Sequence, residues 1–114
     1  MSRARTPALV VAVVGRARPP HETASAVYEQ RIARYVRLSV VEVAAESLGA
    51  GDDVARRREA ERLRDRLPDG AHRIALTPQG RAPRSDAELA GRVARLVEAP
   101  RPACFLIGGA AGLA

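Results

Sequence analysis

The segment Ala8-Leu9-Val10-Val11-Ala12-Val13-Val14 is an apolar run with no polar residue inside it. A strand with one wet face alternates apolar and polar side chains. An unbroken run such as this has to be covered on both faces, as in a parallel sheet sandwiched by helices. It is far shorter than the ~20 apolar residues that cross a bilayer. It leads into Gly15-Arg16-Ala17-Arg18, a poor cleavage site for a signal peptide.

The rest of the chain supplies the covering layers. Gly15 to Pro20 is a turn, and a helix is predicted from about Glu22 to Tyr35, with Val27, Tyr28, Ile32 and Tyr35 on one face. Ser39–Val43 reads as a second strand and Ser47 to Gly51 as a loop. Asp52 or Asp53 caps a helix running to about Leu67. Its inner stripe is expected to be Ala60, Leu63 and Leu67. Its outer face is Arg56, Arg57, Arg58, Arg62, Arg64 and Arg66, interleaved with Glu59, Glu61 and Asp65. That pattern reads as a solvated face laced with ion pairs rather than a phosphate-binding surface. Pro68-Asp69-Gly70 is turn chemistry, and Arg73–Leu76 is a third strand. Ser85-Asp86-Ala87-Glu88 has the form of a capping box opening a helix with a stripe of Leu89, Val93, Leu96 and Val97. Ala103–Ile107 is a fourth strand. The order β-α-β-α-β-α-β predicts an α/β fold: a mainly parallel sheet with helices on both faces, in one domain over residues 1–114.

Aromatic residues are scarce (3%), so the core has to come from Val, Leu, Ile and Ala. The net charge is +6, and all 19 cationic side chains are Arg. Codon bias in a GC-rich genome accounts for the absence of Lys. The charge itself makes a polyanionic partner plausible, since the planar guanidinium fork suits phosphate. The single Cys104 lies in an apolar run and reads as a buried, inert thiol in a reducing, cytoplasmic compartment.

Ligands of open α/β sheets bind beyond the carboxyl ends of the strands. Two loops qualify: Leu76-Thr77-Pro78-Gln79-Gly80 after the third strand, and Gly108-Gly109-Ala110-Ala111-Gly112 after the fourth. Together they suggest a pocket for a flat or extended small molecule. A dinucleotide fingerprint is disfavoured, because the turn after the first strand holds only Gly15. A Walker loop needs a Lys, which the chain lacks. His21 and His72 read as surface residues, no Ser/His/Asp arrangement is visible, and no Cys/His cluster has metal-ligand spacing.

Three segments in order now resemble a known family. They are Ala12-Val13-Val14-Gly15, Leu76-Thr77-Pro78-Gln79-Gly80 followed by Ser85, and Phe105-Leu106-Ile107-Gly108-Gly109-Ala110-Ala111-Gly112-Leu113. The chain from about Leu9 onward resembles the RlmH family of SPOUT methyltransferases, which modify large-subunit ribosomal RNA. The resemblance implies a SPOUT-type, trefoil-knot-family domain and S-adenosyl-L-methionine as cofactor. It assigns contact with that cofactor to Leu76, Gly108 and Gly109, with Gly112 shaping the same loop. It implies methyl transfer to N3 of a pseudouridine, a ribosomal partner and a homodimer; the expectation of no metal and no membrane comes from the residues themselves.

The family's further strand, its Ser-x-x-Thr-x-Pro-His-like loop and its final helix have no counterpart in these 114 residues. Ala111 also stands where the family usually has a polar or acidic residue. The expectation is a domain truncated before its knot, inactive alone, with no catalytic residue assigned. The fourth strand is expected to lack its neighbour and expose an apolar edge. Arg16, Arg18, Arg81 and Arg84 flank the strand-end loops and are the candidate RNA contacts. Two other readings stay open: a non-enzymatic basic module that binds RNA or protein, and the product of a decayed or frameshifted gene.

Overall fold

A computed structural model describes residues 8–16, 18–109, 112 and 113. The elements run β1 (Leu9–Val14), α1 (His21–Ala33), β2 (Leu38–Val43), α2 (Asp52–Arg66), β3 (His72–Leu76), α3 (Asp86–Glu98) and β4 (Ala103–Ile107). A short 3-10 turn, Leu48–Ala50, precedes α2. All four strands form one parallel sheet in the order β2-β1-β4-β3. The α/β architecture expected from the alternating pattern is therefore present.

The sequence leaves one topological point open that the sheet settles. β4 is inserted between β1 and β3, with Cys104 opposite both Val10 and Arg73. Its expected apolar edge does not exist, because β4 is hydrogen-bonded on both sides. The edges are β2 and β3. All strands run the same way, but the strand order changes sense at β1: the connection from β1 goes outward to β2, while β4 lies on its other side. The crevice at such a switch point is the usual ligand site of open α/β sheets.

The two faces of the sheet are covered unequally. Val10, Ala12 and Val14 of β1, Val41 and Val43 of β2 and Cys104 of β4 pack with Leu63 of α2 into the buried cluster. Burial of these aliphatic groups is the main stabilising contribution in a domain this size. On the other face α3 stands over β3 and β4 across a cleft of about 910 Å³ lined by Ile74, Leu76 and Phe105 from the strands and Leu89, Val93 and Leu96 from the helix. None of α3's residues is fully buried, and none of α1's is. The expected stripe of α1 thus remains largely uncovered: Tyr28 is 61% exposed, and Tyr35 lies beyond the helix end.

Local signals set the helix ends. Gly51 at φ +102° lets the chain turn into α2, whose first turn holds Asp52 and Asp53 against the positive end of the helix dipole. The Ser85 hydroxyl accepts a hydrogen bond from the Glu88 N–H at 3.1 Å, as the capping motif requires. The Glu88 carboxylate does not complete the box. It accepts instead from Arg92 one turn on, at 2.6 Å. Among the described residues no helix is long and apolar enough to cross a membrane.

Candidate functional site

Parallel pairing of β3 with β4 puts Leu76 in register with Ile107, so the loops that follow them leave the sheet side by side. They line one cleft of about 520 Å³, with Leu76, Thr77, Pro78 and Gln79 on one side and Ile107, Gly108, Gly109, Gly112 and Leu113 on the other. The volume lies in the ~300–1,000 Å³ range of small-molecule sites. Leu76, Gly108, Gly109 and Gly112, singled out from the sequence, are thus brought together. Ala110 and Ala111 lie outside the described residues.

The glycine turn is closed on itself. The Gly112 N–H donates to the Gly109 carbonyl at 3.0 Å, and the two residues form an antiparallel bridge. A Cβ on Gly108 would stand 2.7 Å from the Gly112 carbonyl carbon and 2.9 Å from the Leu113 nitrogen. Only glycine permits that approach of backbone to backbone. Gly112 needs glycine for a different reason: its φ is +84°, and a Cβ there would meet nothing. The result is a wall made largely of peptide groups, suited to a ligand held by backbone donors and acceptors.

Two residues of this site were not legible as such. Arg56 of α2 lines the cleft and is ion-paired to Asp53. Glu59, expected on the solvated face of α2, is buried at 4% exposure. The reason is helical phase: Ala55, Glu59 and Leu63 recur at four-residue steps and together form the buried side of α2. Ala60, expected inside, is only half-buried. A carboxylate standing in register with Ala55 and Leu63 was the available signal.

Glu59 sits directly behind the glycine turn. A Cβ on Gly109 would lie 3.0 Å from Val14 Cγ1 and 3.1 Å from each Glu59 carboxylate oxygen. Glu59 Oε2 accepts from the Glu46 N–H at 2.9 Å, while Oε1 has no hydrogen-bond partner. Glu46 in turn accepts from Arg58 at 2.7 Å and Arg62 at 2.6 Å, and Arg62 also donates to the Ala44 carbonyl at 2.9 Å. The Arg58 and Arg62 hydrogen bonds hold the Glu46 carboxyl below its usual range. The loop after β2 and the arginines of α2 are therefore tied through the Glu46 carboxylate, while the Glu46 N–H holds the Glu59 carboxylate next to the glycine turn.

The four candidate RNA contacts are not gathered in this cleft. Arg81 lines the larger cleft under α3, and Arg84 is exposed ahead of that helix. Arg16 reaches Glu42 of β2 at 3.7 Å, and Arg18 is exposed before α1. All four follow carboxyl ends of strands, Arg16 and Arg18 after β1 and Arg81 and Arg84 after β3. Cys104 is fully buried, and burial pushes its thiol up from the ordinary value. Among the described residues no group of His, Cys, Asp and Glu could hold a metal ion.

The ribosomal RNA large subunit methyltransferase H of Gluconacetobacter diazotrophicus is 47% identical over 77 residues, covering 68% of this chain and 49% of that protein. The protein of the same name from Gemmatimonas aurantiaca is 42% identical over 87 residues, covering 75% and 56%. That from Pelotomaculum thermopropionicum is 38% identical over 112 residues, covering 92% and 69%. The chain spans about half the length of the first two. A family profile described as "Predicted SPOUT methyltransferase" matches residues 8–114, the stretch that contains the whole sheet, both strand-end loops and the glycine turn, and the chain belongs to that family.

Proposed function

We propose that the cleft between the Leu76 bend and the glycine turn binds S-adenosyl-L-methionine, and that the chain serves methylation of N3 of a pseudouridine in large-subunit ribosomal RNA. The observation that carries this reading is the convergence of Leu76, Gly108, Gly109 and Gly112 on one cleft at the carboxyl ends of adjacent parallel strands. The relatives' names supply the substrate class.

The residues fit such a donor. Gly108, Gly109 and Gly112 line the cleft with backbone and no side chains, and an unpartnered buried carboxylate oxygen, that of Glu59, stands behind Gly109. When bound, the donor supplies an electrophilic methyl group on a positively charged sulfur. The chain's contribution is to orient that group, and alignment of reacting atoms is itself a large part of such catalysis. Removal of the N3 proton needs a base. The described side chains lining the cleft are Arg56, Leu76, Thr77, Pro78, Gln79, Ile107 and Leu113, and none of them is a carboxylate or an imidazole. The chain alone is therefore expected to bind the donor and not to transfer its methyl group.

Arg16, Arg18, Arg81 and Arg84 are proposed to meet RNA phosphates along the strand-end rim. Calorimetry with S-adenosyl-L-methionine on the purified chain tests the donor site, and radiolabelled transfer to ribosomes lacking the modification tests the chemistry. Absence of donor binding would end the first proposal. Transfer at the rate of an intact enzyme would end the expectation of inactivity. Salt-sensitive RNA binding without donor binding would instead favour a basic RNA-binding module. Changing the four arginines to Gln should flatten the salt dependence of RNA affinity, and an unchanged slope would remove them from the interface.

A further inference from the structure

Glu59 is the buried charged side chain among the described residues, and its surroundings do not balance it. Oε2 takes one hydrogen bond, from the Glu46 N–H, and Oε1 takes none. The neighbouring cations of α2 are engaged elsewhere: Arg58 and Arg62 with Glu46, and Arg56 with Asp53. A buried carboxylate so placed lacks the pairing that normally accompanies burial. What lies on its far side is Gly109, a wall of the cleft with no side chain to intervene.

We propose that Glu59 is the specificity-determining residue of the cleft: its carboxylate, set behind the bare backbone of Gly109, favours an occupant carrying positive charge over an otherwise identical neutral one. The inference rests on the donor-binding reading above. It gives the cleft a means of telling the sulfonium donor from its demethylated product. The two share adenosine, amine and carboxylate groups and differ in one methyl group and one charge. A unit charge ~6 Å away alters affinity by about threefold under fully aqueous screening and about a hundredfold at an effective dielectric of ~20. A peptide-walled cleft open to solvent lies between these, so about tenfold is expected. The same carboxylate contributes to keeping position 109 glycine, since a Cβ there would press on Val14 Cγ1 at 3.0 Å and on both carboxylate oxygens at 3.1 Å.

The test measures calorimetric affinities for S-adenosyl-L-methionine and S-adenosyl-L-homocysteine in the wild-type chain and in Glu59→Gln, which keeps the side chain's shape and removes its charge. Glu59→Gln should weaken binding of the donor about tenfold and leave that of the product within about twofold. Equal loss for both ligands would mean a purely structural role and overturn the proposal, as would no change for either. Should Glu59→Gln unfold, the comparison passes to Glu59→Asp, which withdraws the charge by one methylene. The donor-to-product affinity ratio should then fall by about 1.5-fold, and an unchanged ratio refutes the proposal. A wild-type chain that binds neither ligand removes the donor-cleft reading itself, whereas normal wild-type binding with an unmoved ratio in the variants removes only the role of Glu59.

Discussion

Gly108→Ala is predicted to disable the cleft while sparing most of the fold. The new methyl would sit 2.7 Å from the Gly112 carbonyl carbon, and ordinary contact begins near 3.4 Å, so the turn would have to retreat by about 0.7 Å. The obstructing atoms are all backbone, which cannot rotate aside as a side chain can. Forcing a methyl group into a filled space costs about 1–3 kcal/mol. Borne by the closed turn, that cost lowers donor affinity by about 5- to 150-fold. Gly112→Ala provides the contrast. Its Cβ has room, but φ +84° is unfavourable for alanine and costs about 1 kcal/mol. Asparagine tolerates positive φ, so Gly112→Asn should recover part of the loss, and Gly108→Asn should recover none. Calorimetric donor affinity and urea unfolding of the four variants measure this. Wild-type affinity and stability in Gly108→Ala would refute the steric account of the turn.

Other consequences can be measured directly. Because Arg58 and Arg62 depress the Glu46 carboxyl in the folded state, its ionisation stabilises the fold above its unfolded value, and that contribution is lost as pH falls through the folded one. Glu46→Gln should therefore unfold at lower urea than wild type at neutral pH, with the gap closing in acid; a gap independent of pH would contradict the pairing. Leu63→Ala removes the α2 side chain at the centre of the buried cluster and should destabilise by about 3 kcal/mol, read as a clear drop in Tm; a surface-like change under about 1 kcal/mol would not fit that packing. Cys104 is fully buried with its thiol held protonated by burial, so labelling by iodoacetamide at neutral pH should follow global unfolding. Rapid modification of the native chain would show the strand to be accessible.

The strands and their succession along the chain were legible because apolar runs and turn residues punctuate the sequence clearly. The glycine segment identified the site loop, since Gly108 and Gly112 have backbone reasons to be glycine that leave a mark in the sequence. Position within the sheet was not legible. Nothing in Ala103–Ile107 distinguishes an interior strand flanked by β1 and β3 from an edge strand. The inner face of α2 was misjudged because a glutamate among arginines looks like a surface ion pair. Only the four-residue phase shared with Ala55 and Leu63 separates Glu59 from its exposed neighbours. The stripe of α3 faces the cleft over β3 and β4 as its spacing suggested, but that expected for α1 does not form a covered face: Tyr35 falls outside the helix, Val27, Tyr28 and Ile32 are exposed, and neither helix buries a residue fully.

The middle position of β4 makes it the keystone of the sheet. β2 and β1 can zip together without it, but β3 has no other strand to join. Both halves must wait for Ala103–Ile107 to slide between them, and the parallel pairings it makes are long in sequence and slow to form. The glycine turn grows directly from that strand's end. A chain caught before β4 docks is therefore left with two unsealed strand flanks and no ligand cleft at all, so binding competence reports on completion of the fold.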